Sequence, residues 1–136
     1  MNKVIVKINS KQKNDKQNTI KMKALANVYT KNGILYVIYK EKDLNEEKET
    51  STMLKIQEDS LTLTRTGGVQ QQQVFAEGKE SVSDYITPYG NLKMKVKTHR
   101  LEIITGMKST IKIDYALYIN SWQSDNELMI RLEPAN

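Results

Sequence analysis

The chain has no cysteine, two prolines, one histidine, one phenylalanine and one tryptophan in 136 residues. Without cysteine there are no disulfides and no thiolate metal sites, and nothing points to an oxidising compartment. The start, MNKVIVKINSK, holds no apolar run long enough for a signal peptide or a spanning helix, so a cytoplasmic protein is expected. Catalytic signatures are missing as well. There is no Ser-His-Asp order, no paired-carboxylate motif, no phosphate loop and no metal-ligand spacing. The expectation is therefore a protein that is not an enzyme and that carries no metal and no cofactor.

The hydrophobic set is 38% of the chain, which is modest for one ordinary domain and implies a thin core with polar residues inside it. Seven tyrosines offset the shortage of other aromatics. Tyrosine suits half-buried strand surfaces, where its hydroxyl can reach water or a partner. The net charge of +5 is unevenly placed: residues 1–31 hold eight lysines and one acid, whereas the remainder is slightly acidic. Such asymmetry marks either a solvated face or a surface for nucleic acid or anionic membrane.

Two-residue alternation dominates and strong helical periodicity is absent. Residues 3–9 read as a strand, and Ser10 to Asn18 as a polar connector. Residues 19–31 read as one long strand, with room for a bend near Ala24–Ala26. Asn32-Gly33 then signals a tight hairpin. ILYVIY at 34–39 is apolar on both faces, as in a strand covered on both sides or facing a partner. Lys40 to Glu49 reads as a charged connector with room for a short helix. Strands follow at 52–56, 61–66, 69–75 and 81–87, the last ended by the turn Thr87-Pro88-Tyr89-Gly90. Leu92 to His99 alternates most cleanly. Leu101 and Ile103 then fall out of phase, which predicts an inserted residue near His99-Arg100. Strands at 111–119 and 128–132, joined by a turn over Asn120–Asn126, complete the chain.

The stretch Leu61 to Phe75, LTLTRTGGVQQQQVF, places Arg65 in phase with Leu61 and Leu63 on a buried face. A two-residue turn at Gly67-Gly68 would set Arg65 opposite Gln70 and Leu63 opposite Gln72. A three-residue turn would set Leu63 opposite Gln71. With about eight to ten short-linked strands and no crossover helices, the fold class is all-β. An antiparallel meander of this size closes on itself as an up-and-down barrel, with room inside for packed side chains or one small ligand.

Several residues add a resemblance that spans the chain in order. Gly33 with LYVIYKE, Leu54-Lys55-Ile56, Arg65 with Gly67, Gln72 with Val74-Phe75, Gly78, and Tyr85 with Thr87-Pro88-Tyr89-Gly90 resemble the YwiB-like family of small bacterial proteins. Met94, Thr98, Leu101 and the strand Tyr115–Leu117–Ile119–Asn120 fit it too. The resemblance implies a calycin (lipocalin-like) barrel in a domain of unknown function, and it brings no established activity. Calycin barrels often hold small apolar molecules or cofactors, and carrying that over is fold-level analogy. The resemblance does not extend to the run Gln70–Gln73 or to the lysine-rich start.

Arg65 is the sharpest candidate for a site. Inside a barrel it needs a partner, because an unpaired buried charge is costly. Gln72, Tyr85, Thr87, Thr98 and Tyr115 are candidate partners, and together with Tyr89 they make up a candidate binding set for a small, partly apolar or anionic ligand. The alternative is a structural arginine at the rim with its head in water. Arg100 shares that ambiguity. His99 shares its phase with Lys93, Lys95 and Lys97 and is expected to face solvent. Two further readings remain: a nucleic-acid-associated protein using those lysines and the basic start as one face, with Tyr29 and Tyr36 as aromatic platforms, and a homodimer or scaffold built on Ile34–Tyr39.

Overall fold

A computed structural model describes residues 2–13, 15–42 and 49–135, and among these it contains ten strands and no helix. No helix among them is therefore long and apolar enough to cross a membrane. The strands are β1 (Asn2–Gln12), β2 (Asp15–Lys31), β3 (Ile34–Lys42), β4 (Glu49–Ile56), β5 (Ser60–Gly67), β6 (Gln71–Ala76), β7 (Glu80–Thr87), β8 (Gly90–Ile104), β9 (Ser109–Ile119) and β10 (Trp122–Pro134). All pair antiparallel in one sheet, in the order β6-β5-β4-β3-β2-β1-β10-β9-β8-β7. Every neighbour pair is consecutive in sequence except β1 with β10, whose ladder runs from Val4↔Pro134 to Gln12↔Asn126. The result is the expected up-and-down barrel, nearly closed.

Period-two hydrophobicity sets the inner face. Val6, Val37, Leu54, Leu61, Ile111, Ile113 and Ile130 are buried there and pack as one cluster. Each such side chain contributes about 2 kcal/mol by leaving water. Asn32 (φ 53) and Gly33 (φ 78) both take left-handed backbone, as an Asn-Gly hairpin requires. The expected phase slip is present too: the β8–β9 register shifts between Thr98 and Arg100.

Two expected connectors are largely strand. Ser10 to Gln12 belong to β1, where they pair with Leu128, Glu127 and Asn126 of β10, and Asp15 to Asn18 belong to β2; on the outer side Lys11 meets Glu127 at 3.4 Å and Lys13 meets Asp114 at 3.5 Å. The turn expected over Asn120–Asn126 shrinks to Asn120-Ser121, with Asn120 at φ 54. Ser124 and Asn126 point inward instead and satisfy each other, the amide of Asn126 donating to Ser124 Oγ at 2.9 Å. The charged segment expected as a connector over Lys40–Glu49 continues β3 to Lys42, and the part with room for a short helix falls mostly on residues 43–48, outside the described residues.

The barrel has one weak seam, between β6 and β7. Among the described residues these strands share a turn and a single bridge, in which Gln70 and Ile86 exchange backbone hydrogen bonds of 2.9 Å each way. Inside the seam, Ser83 Oγ donates to Gln73 Oε1 at 2.9 Å. The amide of Gln71 lies 3.8 Å from the sulfur of Met94 on β8. The glutamine run thus fastens the edge at which the cylinder closes.

Candidate functional site

Arg65 points into the barrel. It shares the inner face of β5 with Leu61 and Leu63, and across the neighbouring strands it lies opposite Thr52 on β4 and Gln71 on β6. Neither register expected for the glutamines is realised: Leu63 faces Gln73 and Arg65 faces Gln71. The turn is wider because Gly67 still pairs with β4, opposite Thr50, before the chain crosses over. At Gly67 (φ 119) a Cβ would collide with the Glu49 carbonyl oxygen, so only glycine lets the two strands approach this closely.

The partner of the guanidinium is Glu41. Arg65 Nη2 donates to Glu41 Oε2 at 2.7 Å, with the two side chains 25% and 23% exposed. None of the expected partners fills that role. In the sequence Glu41 is masked as a partner because it sits among charged residues that read as a connector. Its signal was the continued alternation Leu35, Val37, Tyr39, Glu41. Thr52, fully buried, donates from Oγ1 to the same carboxylate oxygen at 3.3 Å. Tyr39 lies opposite Thr52 and is hydrogen-bonded to it. Burial and, secondarily, the Glu41 charge push the Tyr39 hydroxyl well above the usual tyrosine range. Arg65 Nε is buried and has no hydrogen-bond partner among the described residues. Tyr39, Glu41, Thr52, Arg65 and Gln71 therefore form an inward polar belt at one end of the barrel, whose interior also buries Gln73, Ser83, Thr98, Ser124 and Asn126.

The other expected site residues scatter. Tyr85 is half-buried on the inner face of β7, and the Gln70↔Ile86 bridge sets it next to Gln71 in register. Gln72 is a correction: it lies opposite Thr64 on the outer face and is exposed. Tyr89 is a second correction, 87% exposed at a turn tip rather than at the lumen. Thr87 stabilises that turn, donating to the Gly90 carbonyl at 2.9 Å and accepting from the Tyr89 N–H at 3.2 Å. Thr98 is fully buried, and its hydroxyl has no partner among the described residues. Tyr115 lies opposite Thr98, hydrogen-bonds Ser10 and meets Phe75 edge-on at 5.2 Å, which makes it part of the core. Arg100 is exposed, opposite Asp114 on the outer face, and His99 is exposed as expected. No cluster that could hold a metal ion occurs among the described residues.

On the outside, Tyr36 turns ILYVIY's second face into a stack with Tyr29, ring centroids 4.8 Å apart and planes 10° apart. The lysines of β8 do not join the basic start, because β9 and β10 lie between them. Lys93 and Lys97 lie opposite Asp84 and Glu80, and Lys95 sits 4.8 Å over the Tyr118 ring.

This ten-stranded antiparallel barrel with a polar belt at one end defines a β-barrel of the DUF1934 family, described as a domain of unknown function; the family model matches residues 5–130, and the chain belongs to that family. Among individual proteins it is similar to the uncharacterised β-barrel protein YwiB of Bacillus subtilis, strain 168, at 27% identity over 109 residues, covering 79% of this chain and 75% of that protein. The crystal structure of the ywiB protein from Bacillus subtilis superposes with a TM-score of 0.83 at 21% identity, covering 98% of this chain and 91% of the other. That likeness establishes the fold.

Proposed function

We propose that the protein is a non-enzymatic binding module of the calycin type that takes a small, partly apolar molecule at the Arg65 end of the lumen. The observation that carries this is the buried, unpartnered Nε–H of Arg65. A buried donor left unmade costs about 1–3 kcal/mol, so a site that retains one is suited to a guest that accepts its hydrogen bond. Glu41 cancels the guanidinium charge, which shifts the preferred guest away from a simple anion. A molecule with a carbonyl or carboxylate acceptor for Arg65, a donor for Glu41 and an apolar body for the Leu61–Leu63 side fits the belt best. Gln71 and Tyr85 would complete the polar contacts.

Native mass spectrometry of freshly purified protein, followed by saturation-transfer NMR with a fragment library, tests the reading. Carbonyl-bearing fragments should bind the native chain and lose binding in Arg65→Met. A crystal structure with a solvent molecule alone on Nε, together with no bound species and no fragment hits, removes it.

A further inference from the structure

The outer face of β1, β2 and β10 holds an arrangement that a ligand in the lumen does not explain. Lys7 sits directly opposite Lys23 on one side and directly opposite Arg131 on the other. One row across three adjacent strands therefore reads Lys23, Lys7, Arg131, about 10 Å wide at the usual strand spacing. Like charges placed directly opposite each other destabilise a sheet, so this row works against the fold. In the next row Lys21 faces Asn9, and Asn9 faces Met129. These six side chains line a concavity of about 390 Å³. Among the described residues Lys7 touches Glu133 at 3.1 Å, and no ion pair involves Lys21, Lys23 or Arg131. Four cations against one carboxylate leave an excess of three positive charges. Glu133 registers that field: its hydrogen bond from Lys7, with the charges of Lys7, Lys108 and Arg131, holds its carboxyl below the usual range.

The same face of β2 leads to the stacked pair Tyr29–Tyr36, six residues beyond Lys23 and about 20 Å along the strand. Lys55 lies opposite Tyr36, and Lys31 follows Tyr29 on the outer side. A basic channel with an aromatic surface further along it is the layout that holds a single strand by its phosphates and stacks its bases. A bilayer is the competing partner, since Leu25 is 58% exposed on this face. The cations, however, line a concave groove that a flat headgroup plane meets poorly, and the tyrosines stack on each other rather than projecting.

We propose that this outer groove binds single-stranded nucleic acid, with phosphates along Lys23, Lys7 and Arg131 and a base against the Tyr29–Tyr36 stack. Fluorescence anisotropy with a labelled oligonucleotide of about 20 nucleotides, as DNA and as RNA, measures it directly. Three phosphate contacts to a single strand give a log–log salt slope of about −2, so affinity should fall roughly 20-fold between about 50 and about 200 mM salt. The double variant Lys23→Gln with Arg131→Gln, altered only on the solvent side, should bind at least about tenfold more weakly with a flatter slope. Tyr36→Leu should weaken binding about fivefold or more and leave the slope unchanged. An unchanged anisotropy at about 50 mM salt with protein at about 100 µM overturns the proposal. Binding by the double variant equal to the native chain overturns it too. Recruitment to phosphatidylserine vesicles without oligonucleotide binding overturns it in favour of a bilayer.

Discussion

The inner and outer faces of the barrel treat positive charge in opposite ways. Inside, one guanidinium is matched by one carboxylate at 2.7 Å, with Thr52 and Tyr39 completing the network. Outside, Lys23, Lys7 and Arg131 stand side by side with a single acid in contact. Inside, the charge is matched within the network and one donor, the Arg65 Nε–H, is left without a partner among the described residues; outside, the charges of Lys21, Lys23 and Arg131 are left to solvent. A lumen must neutralise its charges to fold, because desolvated ions are costly. A solvated face can carry repulsion at small cost and release it on binding.

Replacing Glu41 is the strongest way to break this comparison. Glu41→Gln leaves Arg65 half-buried without its counter-charge and should cost about 2 kcal/mol, less than a fully buried pair would because water reaches both groups. Urea unfolding measures this, and Lys23→Gln on the outer face should change the midpoint little. If Glu41→Gln is neutral, the guanidinium is solvated and the inner network is not structural. Alkaline pH probes the same belt next. An unfolded tyrosine ionises near pH 10, while the buried Tyr39 hydroxyl stays protonated to higher pH. The unfolded chain then binds fewer protons, so stability should hold flat up to about pH 9.5 and fall above about 10, by up to about 1.4 kcal/mol per pH unit for each tyrosine so raised. Tyr39→Phe should flatten part of that decline, and Tyr115, also raised by burial, should account for more of it. At the seam, Gln73→Ala removes the partner of a buried Ser83 hydroxyl and should cost about 1 kcal/mol plus its packing loss. The smallest effect belongs outside. Lys23→Glu replaces a like-charge pair with an opposite one and should raise stability by a few tenths of a kcal/mol while weakening oligonucleotide binding.

Much of the fold was legible because a sheet with one buried face writes its phase into the sequence. Leu61, Leu63 and Arg65 declared their common side, Asn32-Gly33 declared its hairpin, and the slip after Thr98 declared its bulge. What the residues could not declare depended on contacts distant along the chain. Glu41 was hidden because charged flanks look like a connector until Arg65, on another strand, gives one of them an inward role. The inward glutamines depended on a turn width that Gly67 settles through its approach to β4. Ser124 and Asn126 looked like loop residues because their mutual hydrogen bond is invisible in composition. The lysine excess of the first quarter was plain, but its alignment with Arg131 exists only once β10 pairs with β1.

The difference between the faces can be read in one titration. Backbone amide shifts of the isotope-labelled protein, recorded as a short single-stranded oligonucleotide is added, should move at Lys7, Lys23, Tyr29, Tyr36 and Arg131 and stay still at Glu41, Thr52, Arg65 and Gln71. Shifts centred on Arg65 and Gln71, with the outer row unmoved, would contradict the assignment of the two faces.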